Sequence, residues 1–441
     1  MACAMDMFPA GSQPDNWTSA DAIDEVEKLM KKKKVNLKDR LSSGSDLPSG
    51  KRSFQQIPKC NFYEESRERA LFHKAGYTAF IASCRLTLEE FDELLTMPLT
   101  HPDYEELGLG RSLADLIGEC YNPGIERTDL DNSLARRDTG KKFSPAEQLF
   151  YYLHIMASPH TSWQSFEAKF GCDKATVMRL YYHVQSCVFW VTTPEISWPD
   201  EAERKELAEK YCGAFKGCVG YVNGTRSGIK KPLHCQTAFY SGKIAMHCMN
   251  TQVIVDLRGK FIQGTVGVGG SVHDKIIYDA WGGYVNEEDF FAQGEFILGD
   301  PAYNSKLTAH RILANPTEAD YKSVKAAISR AKAEGNMIEV QALEKKYATM
   351  QTQSDYIRRL RVQVERSLGV VKQTFPFVGL PGRGKWKKDR WELGIGLTCA
   401  MQLQNFIWRK REHRVGDGGY PRGLKHFAGE WETGSIGKKL L

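Results

Sequence analysis

The alternation of apolar and polar positions divides the chain into regimes. Residues 85–99, RLTLEEFDELLTMPL, place Leu88, Phe91, Leu94 and Leu95 at helical spacing, with Thr87 set to cap and acids in the first turn. Residues 112–121 form a second short amphipathic piece, so 61–145 reads as helical. Ser144 followed by Pro145 opens another helix, because proline is preorganised for the first helical position. A further helix, a turn at Gly171–Asp173 and a helix burying Val177, Leu180, Tyr181, Val184 and Val188 complete a helical region over 61–205.

From residue 211 the period changes to two. One strand is predicted to end at Asn223, a long one covers 243–256, RGK turns the chain, and 261–269 returns as a hairpin partner. EFILGD (295–300) is a further strand ending at Asp300. A helical run over 321–375 and an apolar helix from Leu393 to Ile407 follow. Strands first and helices later predict an α/β fold, one mixed sheet flanked by helices, over 206–411. Residues 1–60 hold Lys31, Lys32, Lys33 and Lys34 in a row, then SSGSDLPSGKR, and read as a disordered basic tail. Such a tail is a nuclear-import signal, a DNA arm or a solvated linker. Residues 412–441 are Gly-rich and read as a flexible end.

Composition narrows the classes. With 441 residues, 41% hydrophobic and 26% charged, the chain is globular. No apolar run is long enough to span a membrane, and the N-terminus lacks a basic start followed by an apolar core, so membrane spanning and secretion are not expected. Eleven cysteines without a CxxC pair predict reduced thiols. Cys212, Cys218, Cys235 with His234, and Cys248 with His247 lack zinc-knuckle spacing. Net charge is only +6, so any nucleic-acid surface must be local. It is concentrated from Tyr356 to Arg390, where ten Lys and Arg face only Glu365 and Asp389. That excess suits a DNA backbone. Near 143–193, a helix, a Gly-containing turn and a helix capped by Asp173 suit a helix-turn-helix. It would offer Lys174, Thr176, Arg179 and His183 outward to a DNA groove. A plain three-helix bundle is the alternative.

Candidate chemistry lies at element ends. Asn223, Asp300 and Glu365 are separated by 77 and 65 residues. Carboxylates converging in this way hold two hard divalent cations in phosphoryl-transfer sites. Spacing alone is weak evidence. The segments around Asn223-Gly224-Thr225, GVGGSVHDKIIY (267–278), ILGDPAYNS (297–305) and RVQVERSLGVVKQTFPF (361–377), however, resemble in order the blocks of PIF/Harbinger-like DDE transposases. The resemblance covers about 140–400. It implies an RNase H-like fold, Mg²⁺ or Mn²⁺ at a two-metal site, and metal-dependent cleavage and strand transfer at transposon ends. Asn223, Asp300 and Glu365 are then the catalytic and metal-ligand positions, with His273 and Asp274 in support. Ser271 capping a helix from Val272 is the alternative for that motif. Arg361, Glu365, Leu368 and Lys372 share a helix face. Arg361, Arg366, Lys372, Arg383, Lys385, Lys387 and Lys388 are the candidate phosphate contacts of that block.

The departure is at the first position, where Asn223 stands in place of the family's Asp. Two divalent cations carry +4 and an amide reduces the facing charge to −2, so the expectation is a folded, DNA-competent, catalytically crippled protein. The alternative is a domesticated, non-catalytic nuclear DNA-binding or scaffold protein that keeps the fold. Pro301-Ala302 and a longer interval to Glu365 also depart from the family pattern. The excess, about 321–353, reads as an inserted helical hairpin with Ile328, Met337, Val340 and Leu343 as packing positions. It would touch DNA, touch a second protomer, or stand solvated. The implied partners are double-stranded DNA, a Myb-like DNA-binding protein and further copies of the chain in a homodimer or larger assembly. The implied location is the nucleus.

Overall fold

The computed structural model describes residues 62–118, 143–159, 163–211, 215, 217–233, 235–281, 286–303, 311–379 and 390–412. The basic tail, the C-terminal end and the cations at 383, 385, 387 and 388 lie outside the described residues.

Eight helices precede the sheet among the described residues: α1 (Phe62–Phe72), α2 (Lys74–Cys84), α3 (Leu88–Thr96), α4 (Leu113–Gly118), α5 (Pro145–Ala157), α6 (Trp163–Phe170), α7 (Lys174–Thr192) and α8 (Glu201–Tyr211). Their starts follow from local chemistry. Thr87 and Ser144 each accept from a backbone N–H three residues on, and Glu90 and Glu147 return the bond to the cap, so two orphan donors are satisfied at each helix start. Asp173 caps α7 by accepting from Thr176 N. The helical face predicted for α7 is buried as expected.

The sheet comprises β1 (Cys218–Gly228), β2 (Tyr240–Ser241), β3 (Met246–Val255), β4 (Phe261–Gly269), β5 (Phe296–Gly299) and β6 (Ile312–Ala314). Its order is β2-β3-β1-β5-β6, with β4 also on β3. β3 pairs antiparallel with β1 and β4, while β5 runs parallel to β1 and β6. Both faces are covered, as period-two alternation in apolar strands requires. Tyr221, Val253, Val255, Leu298 and Phe261 enter the large core shared with the helices. Their neighbours Val222, Ile254, Ile297 and Ile262 enter a smaller one with Tyr278, Trp281 and Tyr303. The strand order and mixed pairing are those of an RNase H-like fold.

Among the described residues, four helices of six residues or more follow β1: α9 (Asp274–Asp279), α10 (Glu318–Ala333), α11 (Met337–Thr374) and α12 (Arg390–Glu412). α11 packs on β1, β3 and β5, and α12 lies on β4 and α7. Fully buried Asn405 of α12 donates to the Glu195 and Phe261 carbonyls and accepts from Phe261 N, which ties the helical region to the sheet. The predicted insertion is a hairpin of α10 and the first half of α11, turned at Gly335 in a left-handed conformation with φ 70°. Val340 packs in it, whereas Met337 is 60% exposed because it falls at the hairpin's turn. The two helices are clasped by Tyr321 donating to the Met350 carbonyl and by a Lys332–Glu344 pair. At 38 residues, α11 runs without a break from this arm to the segment that carries Glu365.

His154 on α5 is buried and its Nδ1 lies 3.1 Å from the Ser83 carbonyl, which accepts its proton. Burial, with help from Lys169, pushes the imidazole down from 6.5 to about 4. The fold therefore binds fewer protons here than the unfolded chain between those values. The stabilisation is complete above 6.5 and is lost as pH falls toward 4. Urea midpoints should drop between pH 7 and pH 4.5 by the equivalent of about 2 kcal/mol from this group, and His154→Gln should flatten that part of the profile.

Candidate active site

β1 is buried at its start and end and opens at residues 223–226, which are half-buried. The strand continues to Gly228, so Asn223 sits in its middle and does not close it, as the sequence had suggested. The pairing on both sides explains the extension: Asn223 faces Val253 on β3, and Gly228 still faces Cys248. On the other side Gly220 pairs with Ile297 and Tyr221 with Leu298. Asn223 and Asp300 each stand two residues beyond the pair Tyr221–Leu298. Asn223 Oδ1 accepts from Gly224 N at 2.9 Å. Asp300 closes the turn Pro301–Tyr303 by accepting from Ala302 N at 2.8 Å through one oxygen. The proline thus stiffens this turn and leaves the second carboxylate oxygen out of that bond.

Helix α11 is fixed in roll by the β3–β4 turn. Gln363 Nε2 donates to the Arg258 carbonyl at 2.7 Å and Ser367 Oγ to the Gly259 carbonyl at 2.8 Å. Gly259 has φ 94°, and a Cβ there would meet Gln363 Nε2 at 2.3 Å and Ser367 Oγ at 2.6 Å. Further along, Lys372 Nζ donates to Thr225 Oγ1, two residues from Asn223 on the same face of β1. Burial holds the Lys372 ammonium below its ordinary range. Glu365 lies between Arg361 and Lys372 on one stripe of the helix and is exposed, as is Arg366. Arg361 is 7% exposed with Nε unpartnered, so it is not the open phosphate contact the sequence suggested. Its charge instead acts on the Tyr303 hydroxyl.

A polar network lies behind this stripe. Burial, with Asp274 and Asp300 adding to it, pushes the Tyr303 hydroxyl well up. It donates to Gln252 Oε1 at 3.2 Å. Asp274, the first residue of α9, accepts from Asn250 Nδ2 at 2.7 Å and stands 3.9 Å from Arg226. Its carboxylate presses on Gly224: a Cβ there would meet Asp274 Oδ1 at 2.7 Å and Cγ at 2.8 Å. His273, and not Ser271, caps α9 by accepting from Lys275 N at 3.3 Å, while Ser271 Oγ donates to the Ala238 carbonyl. The cap shifts because Ser271 is used to close the preceding turn. Thr225, Asn250, Gln252 and Arg226 were not among the expected site residues. Polar Asn250 and Gln252 inside the apolar strand MNTQVIV were the available signal.

Elsewhere, Lys174 and Arg179 are exposed on α7. Thr176 is bound into the cap with Asp173, and Arg179 Nη2 donates to Thr176 Oγ1 at 3.2 Å. His183 does not face outward, since its Nε2 meets the Ile117 carbonyl at 3.0 Å. Cys218 and Cys248 are buried free thiols; Cys212 and His234 lie outside the described residues. Among the described residues no three of His, Cys, Asp and Glu come together to hold a metal, and no helix is long and apolar enough to cross a membrane.

Residues 222–401, from β1 into α12, match the family described as DDE superfamily endonuclease. The match supports a DDE transposase-like nuclease domain, whose superfamily generally uses divalent metal ions and acts on DNA. No curated protein and no solved structure matches the chain.

Gly224 is required by the approach of Asp274. Gly224→Ala should destabilise the fold by about 1–3 kcal/mol, as overpacking a fitted contact does, read as a lowered denaturation midpoint.

Proposed function

We propose that this chain is a Harbinger-type DDE transposase whose cleavage of transposon ends is blocked at Asn223. The observation that supports the reading is the parallel pairing of β1 with β5, beyond whose last pair, Tyr221–Leu298, Asn223 and Asp300 each stand two residues on. Asp300 and Glu365, with the Asn223 amide oxygen, offer hard oxygen donors suited to Mg²⁺ or Mn²⁺. Two carboxylates leave −2 against the +4 of a metal pair, so the donors fit one such cation and fall short for two. When bound, a divalent cation supplies Lewis-acid activation and neutralises charge on the phosphate.

The chain's own residues do the rest. Arg366 and Lys372 meet the DNA backbone on either side of Glu365. Lys174 and Arg179 of α7 offer a second contact of helix-turn-helix type. The Asp274–Asn250 bond and the Tyr303–Gln252 bond tie α9 and the turn after Asp300 to β3. His273 sets the start of α9 and so the position of Asp274. Assembly as a dimer or larger, a Myb-like DNA-binding partner and a nuclear location follow from the same reading.

The second reading, a non-catalytic nuclear DNA-binding or scaffold protein of transposase descent, is favoured by Asn223 itself. One experiment separates them. Asn223→Asp should restore nicking with Mg²⁺ or Mn²⁺ by on the order of a hundredfold or more, since even outer partners of a metal ligand are worth roughly 10–100-fold. Adding Glu365→Gln should abolish it. DNA binding without nicking in both the parent and the Asn223→Asp form would establish the second reading. Because Asn223-Gly224 is a deamidation-prone pair, the parent's peptide mass must be read beside any trace cleavage.

A further inference from the structure

The strand that bears Asn223 leads into a surface of distinct character. From Lys210 to Val255 the chain holds six Lys and Arg and no Asp or Glu. Within that stretch the connection from β1 to β3 exposes Lys230, Lys231 and Lys243. It also exposes three large apolar side chains, Leu233 at 89%, Tyr240 at 44% and Ile244 at 40%. Tyr240 is held in place. Tyr240 belongs to β2, which pairs with β3 at His247, and the His247 ring meets the Tyr240 ring edge-on at 5.3 Å.

Like charges without acids repel one another, and exposed apolar groups gain from cover. A partner satisfies both only if it is polyanionic and also offers flat apolar faces. DNA whose bases are locally unstacked has that chemistry: lysines meet its phosphates and side chains such as Tyr240 meet its bases. The placement agrees. Gly228 lies five residues beyond Asn223 on a continuous strand, about 16 Å at strand rise, or about five nucleotides of one DNA strand.

We infer that residues 229–233 and 235–245, between β1 and β3, form a further DNA-binding surface that grips an unpaired or unstacked segment flanking the cleavage site. The inference rests on the proposal that the site acts on DNA, and goes beyond it by naming where and in what state the flank is held.

The test is equilibrium binding of the full chain to two labelled duplexes of equal length, one fully paired and one with a short unpaired bubble. The parent should prefer the bubble by about tenfold, the scale of one base–aromatic stack. Tyr240→Ala should remove that preference while leaving paired-duplex affinity in place. Leu233→Ser with Ile244→Ser, at exposed positions outside the Tyr240–His247 contact, should reduce it too. The triple change Lys230→Ala, Lys231→Ala and Lys243→Ala should weaken both complexes. It should also flatten the slope of log K against log salt by about two to three, as three lost phosphate contacts require. Unchanged thermal melts would exclude misfolding. If Arg366→Ala weakens binding while every loop variant keeps parental affinity, slope and preference, the inference is wrong and the DNA reading stands. If the parent binds neither duplex, the DNA reading itself falls.

Discussion

The roll of α11 about its own axis is the constraint on which the site depends. A helix packed only through apolar side chains can settle at several rolls of similar energy, because ridges fit grooves with wide scatter. Here two hydrogen bonds to carbonyls of the β3–β4 turn, from Gln363 and Ser367, select one. They are directional and they end on backbone, so a turn of the helix by even one residue position would break both. With the roll set, Val364, Leu368 and Val371 fill the core, and Glu365 is left exposed. The glycine that permits this close docking stands in a loop more than one hundred positions earlier in the chain.

The second determinant is β1, which is held from both sides. Antiparallel pairing to β3 and parallel pairing to β5 prevent it from slipping by one residue, which would turn Asn223 into the opposite core. Asp274 then occupies the space above Gly224 from the far face. One face of the strand therefore carries the position expected to meet the cation, and the other carries a carboxylate–amide network that keeps the backbone still. This support does not involve the Asn223 side chain, so the backbone is held in place around an amide.

Much of this was legible in the chain itself. The Thr87 cap, the helix start at Ser144, the Asp173 cap, the return strand 261–269 and the hairpin insertion are set by local chemistry within a few residues, and the structure reproduces them. The large apolar face of α7 was equally plain. Features that depend on long-range packing were not. Arg361 looked like a surface cation because its sequence neighbours are charged, yet it is buried beside Tyr303. His183 looked outward by periodicity but is claimed by a carbonyl at the end of α4. The pressure of Asp274 on Gly224 joins residues fifty apart, and no period or spacing announces it.

The unbroken course of α11 has a bearing on how such a chain can vary. At about 1.5 Å per residue its 38 residues form a rod about 57 Å long. One end is keyed into the sheet and the other carries the hairpin arm. Each codon gained or lost between them would swing the arm by about 100° around the rod, whereas a change of seven returns it to within about 20° of its former bearing. Length changes here are therefore tolerated in steps of two helical turns, and the arm's azimuth is inherited together with the acid at the rod's other end.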